Sequence, residues 1–361
     1  MVRLRVAYTL EQCWGRVPGG TAVAALEVAR ELQSSPDVEL IGVAGTHAEP
    51  PQDAWVPPTP MTALRGHGAR LYAEWVFAGR PRVERATGPV DVAHSTSLIP
   101  APAKAPIVVT VHDLAFLHLG DAYTRWGKAL FQASLRAIRR RADLVLCSST
   151  ATMDDCERAG IPADRLRLVP LGVRPADQTT LASAARAARD TYGLPERFVL
   201  FVGTIEPRKN LARLIEAMTL LEAPLPLVVA GAPGWGDEPA ANPHADVRFL
   251  GFVPPDRLHG LYACSTVFCY PSVWEGFGLP VLEAMACGAP VVTSAGISTA
   301  EVAANAAVLV DPMSSQAIAS GLTEAMSRPS ELTLAGRRRA ASMTWANTAR
   351  LTVDAYRELS R

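Results

Sequence analysis

Short apolar runs rich in β-branched residues recur along the chain, and most are followed by a stretch whose apolar positions return at helical spacing. This rhythm predicts parallel strands joined by crossover helices, the α/β class. The first half gives runs at 3–10 (RLRVAYTL), 38–45 (VELIGVAG), 91–96 (DVAHST), 106–113 (PIVVTVHD), 143–149 (DLVLCSS) and 166–172 (LRLVPLG). After Gly172 the strand pattern lapses through an Ala- and Arg-rich stretch that ends at Tyr192, Gly193 and Pro195. A second series follows at 197–204, 225–231, 246–253, 265–272, 290–294 and 306–312. The expected organisation is therefore a domain over 1–173, a linker over 174–195 and a second domain over 196–344. A closing helix over 345–361 is expected to pack back onto the first domain. Between the first two strands of the second series, Leu211, Leu214, Ile215 and Met218 fall at helical spacing, with Asn210 placed to cap the helix.

Two domains also suit the length: 361 residues is more than twice a usual domain of about 150. Hydrophobic residues form 49% of the chain and aromatics 6%, a balance that excludes disorder and points to Ala, Val and Leu packing in layers. No run reaches the roughly 20 apolar residues that span a bilayer, and a strand stands where a signal peptide needs its apolar core, so a cytoplasmic location is expected. Cys13, Cys147, Cys156, Cys264, Cys269 and Cys287 make no CxxC pair and lie mostly in apolar segments, as reduced packed thiols do. Lys plus Arg and Asp plus Glu balance at 35 each, which gives no reason to expect nucleic acid as a partner. A local cluster can still bind a small anion.

Four loops carry candidate chemistry. In Trp274-Glu275-Gly276-Phe277-Gly278-Leu279-Pro280-Val281-Leu282-Glu283, a strand ends in a turn with two glycines and a helix opens. Free N–H groups at a helix start favour an anion, and the carboxylates of Glu275 and Glu283 can accept hydrogen bonds from sugar and ribose hydroxyls. The bland alternative is a capped core helix with two solvated glutamates. Gly203-Thr204-Ile205-Glu206-Pro207-Arg208-Lys209-Asn210 sets two cations at a strand end before a helix, where they can neutralise a diphosphate or stand as an ordinary solvated pair. Val17-Pro18-Gly19-Gly20-Thr21 offers paired glycines after the first strand, but has neither GxGxxG spacing nor a P-loop lysine, and a lone Gly-Gly is usually a turn. His112, at the end of PIVVTVHD, can meet a substrate hydroxyl or serve structure alone. No Asp-x-Asp and no His-rich pattern calls for a metal.

In this order the segments resemble the retaining glycosyltransferases of family 4, which have the GT-B fold. The likeness runs from Gly19-Gly20 to the C-terminal helix, and the string from Glu275 to Gly288 is its most specific part. The resemblance implies two Rossmann-like parallel-sheet domains facing a central cleft that holds the active site. It implies that Glu275 holds hydroxyls of the donor sugar, that Phe277, Gly278 and Leu279 offer backbone amides, and that Glu283 binds the donor ribose. Arg208 and Lys209 match the family's cationic pair on the diphosphate, Gly19 and Gly20 its phosphate-facing loop, and His112 a residue near the anomeric carbon and acceptor. The Gly203-Thr204 turn joins the donor site, and the nucleobase is implied between the segment around Gly231 and Gly251-Phe252-Val253. One departure stands in Gly296-Ile297-Ser298-Thr299-Ala300-Glu301-Val302, which lacks a second glycine before Glu301.

The wording Thr204-Ile205-Glu206-Pro207-Arg208-Lys209-Asn210 looks like members that use GDP-mannose, which makes mannose the favoured sugar and a UDP-sugar the alternative. The expected partners are a nucleotide sugar and a saccharide or glycolipid acceptor, with no further cofactor and no metal. Leu64 to Arg85 sets Leu71, Tyr72, Trp75 and Val76 beside Arg65, Arg70, Arg80, Arg82 and Arg85, which an interfacial helix at the inner membrane face or a core helix with solvated arginines would both show. Rival readings are an epimerase or hydrolase acting on the same donor, a non-catalytic nucleotide-sugar-binding module, and a dehydrogenase, for which no GxGxxG follows any strand.

Overall fold

A computed structural model describes residues 3–15, 18–119, 124–234 and 243–360. Val17 of the glycine loop and Arg361 of the closing helix lie outside the described residues. The chain divides into two compact units, one reaching Leu171 and regaining the chain at Trp345, the other Gly172–Thr344.

Among its described residues the first unit holds seven parallel strands: β1 (Leu4–Thr9), β2 (Val38–Gly45), β3 (Met61–Leu64), β4 (Val92–Ser95), β5 (Ile107–Val111), β6 (Leu144–Cys147) and β7 (Leu166–Leu168). Their order is β3-β2-β1-β4-β5-β6-β7. Helices cover such sheets on both faces, so the inner strands read as unbroken apolar runs. β3 escapes the sequence pattern because it is a short edge strand, with partly exposed residues flanked by prolines and glycines. The closing helix Trp345–Leu359 belongs to this unit: Thr348 Oγ1 donates to the Pro170 carbonyl at 2.8 Å, and buried Tyr356 shares a 2.6 Å hydrogen bond with His94 Nδ1 of β4.

The Leu64 to Arg85 segment is not one interfacial helix. A helix Gly68–Ala73 passes into a π-helical turn, Glu74–Ala78, and stops at left-handed Gly79. Leu71, Trp75 and Val76 pack into a core cluster with Val43, Val83 and Leu130, while the five arginines are exposed. Its apolar side is thus used inside the protein.

The second unit adds β8 (Val199–Val202), β9 (Leu227–Ala230), β10 (Val247–Gly251), β11 (Val267–Tyr270), β12 (Val291–Ser294) and β13 (Val308–Val310) in the order β10-β9-β8-β11-β12-β13, all parallel. The stretch expected as a linker over 174–195 carries instead a helix, Gln178–Tyr192, capped by the Asp177 side chain and closed by left-handed Gly193. It packs on the helix Pro255–Cys264 so closely that a Cβ on Gly260 would lie 2.4 Å from the Ala184 carbonyl oxygen. Small residues at that contact let the backbones approach, and they also hide the apolar periodicity, since only Leu181 and Ala188 of this helix are buried.

In both sheets the strand order reverses once, between β1 and β4 and between β8 and β11. Doubly wound sheets bind ligands beyond the carboxyl ends of the strands at this reversal, because the flanking loops diverge there and leave a crevice.

Candidate functional site

The reversal in the second unit brings together the two most informative loops. After β8 the chain makes a 3₁₀ turn, Pro207–Lys209, and after β11 it runs through Ser272 and Trp274 to Glu275. Lys209 Nζ lies 2.6 Å from Glu275 Oε1, and Arg208 Nη1 lies 3.0 Å from Glu275 Oε2. Arg208 Nε also pairs with Glu206 at 2.8 Å. Two cations and two carboxylates are therefore interleaved, and formally they cancel. Lys209 and Glu275 are buried, which rules out the solvated reading of either loop. The Tyr270 hydroxyl, at the end of β11, closes a three-membered ring by accepting from Lys209 Nζ and donating to Glu275 Oε1 at 3.0 Å.

The electrostatics follow from this packing. Burial alone would raise the Glu275 carboxyl, but the charges of Lys209 and Arg208 and their hydrogen bonds outweigh it and hold the group near about 2. Burial lowers the Lys209 ammonium, opposed by Glu275. Burial, then the Glu275 charge, raises the Tyr270 phenol well above its ordinary value, so it remains a donor.

Asn210 occupies the cap position of the helix Leu211–Met218 without capping it. In a left-handed conformation that Asn tolerates, it sends its side-chain amide to the carbonyls of Pro271 at 2.9 Å and Pro312 at 2.7 Å. It thereby ties the loops after β8, β11 and β13.

Glu283 lies in the helix Leu279–Ala286, in whose first turn Pro280 has no N–H and the Val281 N–H donates to the Gly278 carbonyl at 3.0 Å. Gly278 enters that helix at φ 104°, and a Cβ there would come within 2.8 Å of Thr299 Cγ2. The side chains of Phe277 and Leu279 are buried, leaving backbone as what this turn can present. The Ser298 hydroxyl donates to the Glu275 carbonyl at 2.6 Å and pins the loop from behind. Gly203 and Thr204 follow β8, Gly231 follows β9, and Val253 is buried beyond β10 while Phe252 is exposed. Gly231 N–H donates to the Gly251 carbonyl at 2.8 Å, joining two of these turns.

In the first unit, Gly19 and Gly20 open the helix Gly19–Gln33 beyond β1, with Gly19 at φ 63°. His112 follows β5, half-buried, and donates from Nε2 to the Thr96 carbonyl at 3.3 Å. A carbonyl can only accept, so this contact fixes the proton on Nε2 in the neutral ring. Burial lowers the His112 imidazole below its ordinary value.

Tyr270, Tyr262, Glu206 and Ser298 were not legible as site residues. The tyrosines look like ordinary members of a strand and a helix, whereas Glu206 and Ser298 sit inside the Gly203 to Asn210 and Gly296 to Val302 strings with nothing to mark them apart from their neighbours.

The chain matches Glycosyltransferase Family 4 over residues 18–177 and Glycosyl transferases group 1 over residues 187–342. It is 31% identical over 267 residues to O-antigen chain mannosyltransferase B of Escherichia coli, covering 70% of each chain. The chain belongs to glycosyltransferase family 4. This family 4 glycosyltransferase is also 31% identical to the serotype-specific mannosyltransferase WbdA of Escherichia coli over 70% of its own length, but spans 33% of that longer relative. To a D-inositol 3-phosphate glycosyltransferase of Rhodococcus opacus it is 33% identical, covering 70% of its own length and 62% of the relative. Among solved structures it resembles Anabaena HepE in complex with UDP and glucose (TM-score 0.71, 17% identity, 98% of this chain and 99% of that one). Sucrose-phosphate synthase from Thermosynechococcus elongatus gives a TM-score of 0.72 at 20% identity, covering 99% of each chain. These likenesses establish the GT-B fold.

The six cysteines are buried free thiols. Among the described residues no group of three His, Cys, Asp or Glu side chains could hold a metal ion, and no helix is long and apolar enough to cross a membrane.

Proposed function

We propose that this glycosyltransferase moves mannose from GDP-mannose to a saccharide or glycolipid acceptor, with retention of anomeric configuration and without a divalent metal. The observation that carries the reading is the Glu275 carboxylate locked between Arg208, Lys209 and Tyr270 at the β8/β11 reversal. Groups fixed this way need no reorganisation when charge develops on a departing diphosphate. In this reading Glu275 receives hydroxyls of the donor sugar and Arg208 and Lys209 face the diphosphate. Glu283 takes the ribose, and the turns at Gly203-Thr204, Gly231 and Phe252-Val253 surround the base. Phe277, Gly278 and Leu279 contribute backbone amides. In the first unit, Gly19 and Gly20 are assigned to phosphate and His112 to the reacting centre. Two kinds of relative named as mannosyltransferases, each 31% identical, support mannose, as does the Thr204 to Asn210 wording. A cytoplasmic location, peripheral at the inner membrane face when the acceptor is a glycolipid, goes with this reading.

The test is an incubation with GDP-mannose, GDP-glucose, UDP-glucose and UDP-galactose, with and without saccharide and glycolipid acceptors, followed by NMR in buffer containing EDTA. Retention in a mannosylated product, unaffected by EDTA, is expected. Consumption of a UDP-sugar alone would replace the donor, and turnover without any acceptor would favour the epimerase or hydrolase reading. Inverted product at first turnover would overturn retention, and activity rescued only by magnesium or manganese would overturn metal independence.

A further inference from the structure

Glu283, the carboxylate assigned above to the ribose, does not stand alone in its helix. The Tyr262 hydroxyl donates to its Oε2 at 3.0 Å from the neighbouring helix Pro255–Cys264. Tyr262 is fully buried, and its ring meets Phe268 of β11 edge to face, with centroids 5.3 Å apart. Phe268 in turn stacks with Tyr270 at 5.8 Å, the phenol that grips Glu275. A buried line of three rings thus ends at each side in a hydroxyl that holds one of the two site carboxylates. Burial, then the Glu283 charge, keeps the Tyr262 phenol protonated far above neutral pH, so it is a fixed donor.

We propose that Tyr262 is a positioning residue for nucleotide recognition: its hydroxyl fixes the Glu283 carboxylate in the one orientation that accepts hydrogen bonds from vicinal ribose hydroxyls. The physical reason is rotational. A glutamate carboxylate turns broadly about its last side-chain bond. A donor anchored in the core and held on Oε2 removes that freedom before the ligand arrives, so less ordering is left for binding. The ligand class is a ribonucleoside diphosphate with both ribose hydroxyls. The proposal rests on the assignment of Glu283 to the ribose.

The probe is GDP, or UDP if the wild type binds it more tightly, compared by calorimetry with its 2′,3′-dideoxy counterpart. Wild type should prefer the ribose form. Tyr262→Phe keeps the ring and its packing, and is expected to bind the ribose form about five- to tenfold more weakly, as loss of about one net hydrogen bond implies. It should bind the dideoxy form as wild type does. Equal weakening of both forms would mean a merely structural role, and unchanged affinity for the ribose form would overturn the proposal as well. Glu283→Gln separates the two failures: if it still discriminates ribose from dideoxyribose as wild type does, Glu283 is not the ribose reader, whatever Tyr262 does. If the phenol acts through Glu283, Tyr262→Phe in the Glu283→Gln background should have little further effect, whereas additive losses would show that the phenol acts elsewhere.

Discussion

Lys209 Nζ and Glu275 Oε1 are 2.6 Å apart in a buried contact, although sequence reasoning assigns one to the diphosphate and the other to the sugar. The two ends of the proposed donor site are therefore one electrostatic unit. Neutralising either partner leaves the other charge buried, which costs on the order of 3–5 kcal/mol when no replacement partner moves in. Arg208 on Oε2 softens the loss for Glu275 but not for Lys209.

The expected outcome is that Glu275→Gln weakens nucleoside diphosphate binding as well as turnover, because it releases Lys209 from its only carboxylate contact among the described residues. Lys209→Met, Glu275→Gln and their double variant should show a coupling of roughly 1–3 kcal/mol in urea unfolding of the second unit. Additivity within about 0.5 kcal/mol, or normal diphosphate affinity in Glu275→Gln, would show that the ion pair is incidental.

This contact explains how much of the site was readable. The Glu275 to Gly288 string and the Arg208-Lys209 pair stood out because charge and glycine in a loop are conspicuous, and twelve of the thirteen strands among the described residues announced themselves as apolar runs. What stayed hidden depends on long-range packing. Tyr270 reads as the last residue of an apolar strand, and Tyr262 as one aromatic on a helix; only the fold sets their hydroxyls against carboxylates. The helix over 178–192 was hidden for the opposite reason, since alanine packing leaves little amphipathic signal.

His94 supplies a pH dependence for the first unit. It is fully sequestered between the Tyr356 hydroxyl and Thr110 Oγ1, and burial, with His112 nearby, pushes its imidazole down to about 3. The folded value lies below the unfolded one of about 6.5, so the unfolded chain takes up the proton first as pH falls. The contribution is whole above about pH 6.5 and is lost down to the folded value, at up to about 1.4 kcal/mol per unit. Between pH 7 and pH 5 the first unit should lose about 2 kcal/mol from this group. Urea melts of wild type and His94→Gln at both values check it: the variant should be weaker at pH 7 but fall less on acidification, and parallel losses would rule out His94 as the source.

Ala304 ends the helix Ser298–Ala303 at φ 50° and ψ −121°, a region suited to glycine. A Cβ there costs on the order of 1–3 kcal/mol, partly offset by the greater freedom glycine gives the unfolded chain. Ala304→Gly should stabilise the second unit by about 1 kcal/mol and raise its melting temperature by roughly 2–4 °C. Differential scanning calorimetry measures this directly, and an unchanged or lower midpoint would mean that the strain is relieved elsewhere.

Gly231 tests whether close backbone contact shapes the proposed donor site. A Cβ at this position would fall 1.9 Å from the Gly203 carbonyl oxygen and 2.7 Å from its carbon, so the turns after β8 and β9 must separate to admit one methyl group. Both turns lie at the carboxyl ends of their strands, and the Gly231 N–H also anchors Gly251. Gly251 is the control: it has φ 68°, but a Cβ there would meet nothing within 4 Å, so Gly251→Ala adds only the left-handed penalty of roughly 1–2 kcal/mol without moving a neighbour. Gly231→Ala should weaken nucleoside diphosphate binding at least about tenfold more than Gly251→Ala, because displacement of about 1 Å breaks several hydrogen bonds at once while strain alone breaks none. Circular dichroism with urea melts identifies the folded fraction, and calorimetry on that fraction reads the affinity. Equal affinities in the two variants would mean that the Gly203 and Gly231 turns do not frame the nucleotide.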